Sequence, residues 1–229
     1  MRVRTLTAFA GVALGVVLGA QSSSLPADIH PESLSRLPPM QRDGLDDDGK
    51  RVWDFIAGSR GMTKTGPGAI SMYSPKAAEP IQRLNQYLRT TVVGPRYFEL
   101  SALIAAREFD QQYEWSGHEP AGLRAGLEQS VIDVVKLNKD VTGLSEKDST
   151  VIRLGRALFR DHKVSSELWA KTLDLFGRQG ALEIATIMGD YAMAAVMLTA
   201  VDQHLPADRK PLLPITNGFI TIRQPLANR

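Results

Sequence analysis

YFELSALIAAREFDQQYEWSGHEP, Tyr97–Pro120, decides how the chain is read. Its first half has the spacing of a helix over Tyr97–Phe109: Glu99 shares a face with Ala102, Leu103 and Ala106, three, four and seven residues on. A carboxylate on an apolar face loses hydration, which raises its pKa unless a cation answers it. Arg96 and Arg107 are near enough in sequence to be that cation, in which case Glu99 is structural. Without one, the carboxyl group is suited to proton transfer. The second half predicts a helix from Gln111 to about Gly117 or beyond, ended or kinked by Pro120. Glu114 and His118, one turn apart, share a face of it. A carboxylate beside an imidazole orients the ring and raises its pKa, which is half of a general acid–base device. The plainer reading is an exposed ion pair worth about 0.3–0.5 kcal/mol. Tyr113 and Trp115 either line a pocket for a flat or cyclic ligand or simply pack.

Working outward, Ile81, Leu84 and Leu88 fall on one face of a helix that begins near Lys76. Further helices are predicted over Glu128–Lys139, Ser145–His162 with Ser145 as N-cap, Ser166–Gly177, and Ala181–His204, which Pro206 stops. Strand signals are nearly absent until FITI near the C-terminus. The expectation is an all-α fold, a compact domain of seven or eight helices with short connections and antiparallel neighbours, over residues 51–205. Within the last helix, IATIMGDYAMAAVMLTAV is apolar almost all round. Such a helix is central or packs on another subunit, and Gly189 and Asp190 argue against a membrane span. Residues 23–50 read as an irregular lead-in, and residues 206–229 as a tail. Ser59–Pro75, rich in Gly, Ser and Pro, reads as a long loop, either a functional lid or a mobile connection.

The chain has 229 residues, 43% of them hydrophobic, enough for a sizeable core. Its 27 Lys and Arg against 25 Asp and Glu give a net charge of +2, so no nucleic-acid partner is expected. Cysteine is absent, which excludes disulfides, thiolate metal sites and cysteine nucleophiles. No metal site is expected: His30, His162 and His204 fall in no ligand spacing, and there is no HExxH, GxSxG or phosphate-loop motif. MRVR, the apolar run Ala8–Ala20 and then QSSSLPA follow the order of a signal peptide, cut after Ser22. Export to the periplasm or the extracellular space is expected, with no stable membrane span after cleavage; the competing reading is an uncleaved anchor.

YFELSALIAAREFDQQYEWSGHEPAGLRAGLEQSVIDVV resembles the carboxymuconolactone decarboxylase family, within the alkylhydroperoxidase D-like superfamily. The cysteine-free branch of that family carries Q-Y-E-W-x-x-H-E, matched here by Gln112, Tyr113, Glu114, Trp115, His118 and Glu119. SRLPPM, the Ser59–Pro75 loop and IMGDYAMAAVMLTAV extend the likeness over roughly Leu34–Leu205. The resemblance implies an all-α fold, homo-oligomers (trimers or hexamers), a small-molecule substrate, and decarboxylation with no metal or organic cofactor. It implies His118 as the acid oriented by Glu114, with Glu99 at the position of the superfamily's proton relay. The CxxC pair of the peroxidase members falls at Gln111 and Glu114, so thiol peroxidase chemistry is closed to this chain. Arg107 or Arg124 is expected to hold a substrate carboxylate bidentately. Because muconolactone breakdown is ordinarily intracellular, an exported member is expected to act on another carboxylated or lactone substrate. The alternative is a non-catalytic oligomeric binding protein that keeps the fold.

Overall fold

The computed structural model describes residues 25–215. The expected signal peptide, residues 1–22, and the FITI segment lie outside the described residues. Eight α-helices follow one another: α1 Asp47–Ala57, α2 Pro67–Ser71, α3 Pro75–Leu88, α4 Gly94–Glu108, α5 Gln112–Arg124, α6 Gln129–Lys136, α7 Glu146–Arg156 and α8 Ser166–Ala200. No strand is present among the described residues beyond one isolated bridge, His30 to Ser35. The expected all-α class is borne out.

Local chemistry accounts for the helix ends. Asp46, Ser145 and Ser165 each accept a hydrogen bond from a first-turn amide, of Gly49, Asp148 and Leu168. These side chains satisfy donors that the helix leaves free, so the expected Ser145 cap is in place. The cap on Asp46 starts α1 inside the expected lead-in.

Several boundaries differ from the sequence reading; α6, for one, stops at Lys136 rather than Lys139. First, α5 passes through Pro120 to Arg124. The lost amide bond is tolerated because the helix packs along α4 and buries Tyr113, Trp115 and Gly122. Second, the expected helix over Ser145–His162 is α-helical only to Arg156; a π-turn follows and ends at His162 in the left-handed region (φ 52°). Third, α8 spans both of the last two predicted helices, its backbone leaving helical geometry at Gly177 (φ 68°, ψ 176°). It ends at Ala200, before the expected His204, where Asp202 turns left-handed and Gln203 N–H donates back to Leu198 O.

The core sits around α4. Every residue from Phe98 to Ala106 is buried, because α5, α6, α7 and α8 all pack on it. The sequence shows one apolar face; the alanines on the remaining faces let other helices come close. Leu100, Leu103, Ile104, Trp115, Ile132, Ile152, Leu154, Ile184 and Met188 form one cluster. Where α7 crosses α4 and α8, a Cβ on Gly155 would overlap Ile104. Helix α8 is long and apolar enough to cross a membrane, yet more than half of its apolar window is buried in the domain. Its polar residues Glu183 and Asp190 are buried with partners on the α3 side.

Candidate active site

Glu99 projects from the second turn of α4, and Glu114 and His118 project one turn apart from α5. Gly122 lies where α5 packs on α4 and on the turn that follows: a Cβ there would fall 2.8 Å from Leu127 and in ordinary contact, 3.5 and 3.7 Å, with Leu103 and Glu99. The three side chains form a line. His118 Nδ1 meets Glu99 Oε2 at 2.6 Å, and His118 Nε2 meets Glu114 Oε2 at 3.4 Å. All three side chains are largely buried. The cation that answers Glu99 is therefore His118. Arg96 instead binds Asp148 and Glu128, and Arg107 binds Asp110.

The edge of the Tyr191 ring caps the imidazole, with centroids 4.6 Å apart and planes at 81°. Burial by itself pushes the imidazole pKa down, but the hydrogen bonds and charges of Glu114 and Glu99 outweigh it and bring it to about 9. His118 is thus an imidazolium at neutral pH. Its pKa is raised above the unfolded value of 6.5. The stability it contributes is therefore complete below about pH 6.5 and is lost as pH rises through about 9. Thermal unfolding followed from pH 6 to 10 should show a falling midpoint across that window. The decline should be weaker in His118→Gln, whose side chain does not titrate.

These groups face a cavity of about 600 Å³ between α3, α5, α8 and the segment before α3. Arg60, Thr63, Thr65, Gly66, Pro67, Gly68 and Ser71 line it, so the expected Ser59–Pro75 loop forms a wall of the cavity and contains the short helix α2. Gly66 is required there: φ is 90°, and a Cβ would sit 2.6 Å from the Tyr113 hydroxyl. The Thr65 and Tyr113 hydroxyls are hydrogen-bonded at 2.8 Å, and Gly66 N–H donates to Gln203 Oε1 at 3.2 Å.

Tyr113 lines the cavity as expected. Trp115, Arg107 and Arg124 do not. Trp115 points the other way on α5, into the core, with no exposed surface. Arg107 is spent on the carbonyls of Lys136 and Pro214 and on Asp110. Arg124 is exposed on the last turn of α5.

In their place the cavity holds side chains that sequence reasoning missed. Arg89 lies with its guanidinium 4.8 Å over the Phe98 ring, donating to Asn85 Oδ1 and Tyr191 Oη. Asn85 Nδ2 donates to Asp190 Oδ2 at 2.8 Å. Burial raises the Asp190 pKa foremost, and the Glu114 charge adds to it, against the Asn85 hydrogen bond. Burial likewise raises the Tyr191 phenol. The interruption of an apolar helix by Asp190 was a usable signal; nothing local marked Arg89. Three buried side-chain polar atoms have no partner among the described residues, Arg107 Nε, His204 Nε2 and Glu114 Oε1, and of these Glu114 alone lines the cavity. In a cavity-lining carboxylate such an acceptor is open to a donor on a ligand. Among the described residues, no group of three or more His, Asp or Glu is placed to hold a metal ion.

No protein-family model matches this chain, and no curated protein matches it.

Proposed function

We propose that the protein is a cofactor-free acid–base lyase of the carboxymuconolactone decarboxylase type, acting on a small carboxylated or lactone substrate. One observation carries this reading: an imidazolium held between two carboxylates, at the wall of a cavity large enough for such a molecule. Loss of carbon dioxide breaks a C–C bond and leaves the electron pair on a conjugated carbonyl system. The developing charge needs a cation and a proton donor. His118 supplies both. Glu114, which lines the cavity beside His118 with Oε2 toward Nε2, takes the proton from the ring and passes it to the substrate carbon. Glu99 on Nδ1 orients the ring and returns a proton to it, so that each turnover takes up one proton from solvent. Arg89, which makes no ion pair with a carboxylate among the described residues, takes the substrate-holding role expected of Arg107 or Arg124.

The absence of cysteine keeps thiol peroxidase chemistry out of this proposal. At the N-terminus of α5, where the peroxidase members of the resembled superfamily carry their first thiol, Gln111 caps the helix and donates to Thr199 Oγ1 at 3.1 Å. We place the protein outside the cytoplasm, on its N-terminal sequence alone. Assembly as a trimer or hexamer is part of the same proposal; exposed Leu182 (64%) and Val196 (56%) on α8 support it.

The test is incubation of the purified chain with a panel of carboxylated lactones and conjugated keto acids, monitored for carbon dioxide. Release that depends on His118 is the expected result. Ligands that bind without any turnover would favour the binding-protein alternative.

A further inference from the structure

The segment after α8 has no place in the mechanism above, yet it is held at both ends. At its start, His204 N–H donates to Leu34 O at 2.7 Å, and the Gln203 amide donates to Ser33 O and Leu34 O. At its end, the Gln112 side chain makes two bonds to the backbone of Leu213, accepting from N–H at 2.9 Å and donating to C=O at 2.8 Å. Leu213 is buried in the main core cluster, and Pro214 O accepts from Arg107 at 3.1 Å. Between these tethers the chain arches over α5, with a turn closed by Arg209 N–H on Pro206 O.

The arch carries Arg209 over the cavity. Its guanidinium lies 4.7 Å above the Tyr113 ring centroid. Gly117, one turn further along α5, leaves the helix surface bare beneath it: a Cβ there would be 3.6 Å from Arg209 Nη1. Tyr113 is in turn bonded to Thr65 from the opposite wall. Arg209, Tyr113, Thr65 and Gly117 all line the cavity. Seven of the fourteen arginines among the described residues pair with a carboxylate, and Arg209, which makes no ion pair there, is the unpaired one stacked on an aromatic ring of the α5 wall. A cation stacked on an aromatic ring keeps its N–H edge free for a planar oxyanion.

We propose that the C-terminal arch, residues 204–213, is a tethered arm that supplies Arg209 as the carboxylate-recognising residue of the cavity mouth. Arg209 therefore sets specificity for anionic over uncharged ligands, while Gln112 is a positioning residue that acts through the arch. The choice of carboxylate, rather than another oxyanion, rests on the lyase reading above. The tethering of Arg209 does not.

Calorimetric titration of the full chain with fumarate, succinate and glutarate, and with the uncharged fumaramide, tests this. At least one dianion should bind. Arg209→Gln should weaken it roughly tenfold or more, as loss of a charge-assisted hydrogen bond does, with fumaramide unchanged. Gln112→Ala should weaken the dianion in the same direction and spare fumaramide. Lys210→Gln removes the same charge from the next residue, outside the cavity lining, and should change neither. The proposal is overturned if no dianion binds, if Arg209→Gln and Lys210→Gln have equal effects, or if Gln112→Ala is silent. The readout is binding, so it stands apart from the lyase reading. A protein that binds dianions through Arg209 but releases no carbon dioxide loses the reaction and keeps the arm.

Discussion

His118→Ala should lower turnover by roughly 10²–10⁴-fold, the usual worth of a general acid–base group. The reason is geometric. Among the described residues the imidazole bridges Glu99 and Glu114, at 2.6 and 3.4 Å, and its charge is what lets two carboxylates share one buried site. Without it, two largely buried carboxylates are left with no cation between them. The line then has neither its cation nor its donor. The variant should also lose stability, because removing one member of a buried charged set costs more than the set contributes. His118→Gln distinguishes the two effects. A glutamine can donate to one carboxylate and restore part of the stability, but it cannot transfer a proton, so turnover should stay low. Steady-state rates measured beside urea unfolding decide the matter. A folded His118→Gln protein with full activity would remove the basis for the catalytic proposal.

Trp115→Ala should destabilise the fold by about 3–5 kcal/mol, the range for deleting a fully buried large aromatic side chain. Trp115 has no exposed surface and belongs to the main core cluster. Its Nε1 donates to Glu119 Oε2, whose other oxygen accepts from Lys136 at 2.7 Å, and the Lys136 ammonium lies 5.8 Å from the ring centroid. Truncation therefore opens a cavity and also strips a donor from a buried carboxylate. Trp115→Phe keeps most of the volume and should cost about 1–3 kcal/mol for the unpaired oxygen. Equilibrium urea unfolding measures both. Since the ring faces away from the cavity, ligand affinity of Trp115→Phe should match that of the parent. A loss of affinity at full occupancy of the fold would return Trp115 to the substrate-binding role that its place in the motif suggested.

Only one of the two contacts to the imidazole was legible. Glu114 and His118 are on one helix, and helical spacing alone puts them on one face. Glu99 was marked as anomalous, a carboxylate among apolar neighbours, but its partner was sought among the nearby arginines. Arg107 and Arg96 lost to His118 because the packing of α5 against α4 brings the imidazole to 2.6 Å. The arginines were satisfied elsewhere, Arg107 by the C-terminal segment and the end of α6, and Arg96 by α7. Two cavity-lining arginines were missed for the same reason. Arg89 and Arg209 sit in unremarkable local sequence, and their meaning comes from the rings of Phe98 and Tyr113 beneath them.

The order of residues alone determined an all-α class for the described residues, most of the helix starts there, a long Gly/Ser/Pro segment between α1 and α3, and a carboxylate–imidazole pair one turn apart. Each of these depends on hydrogen bonds and side-chain directions that repeat within a few residues, so spacing suffices to read them. The tertiary structure alone decided that Glu99 completes the line, that Trp115 turns into the core while Tyr113 turns to the cavity, that α5 survives Pro120, and that Arg89 and Arg209 line the cavity. Those depend on how helices far apart in the chain cross, and the crossing is set by the packing of many side chains at once.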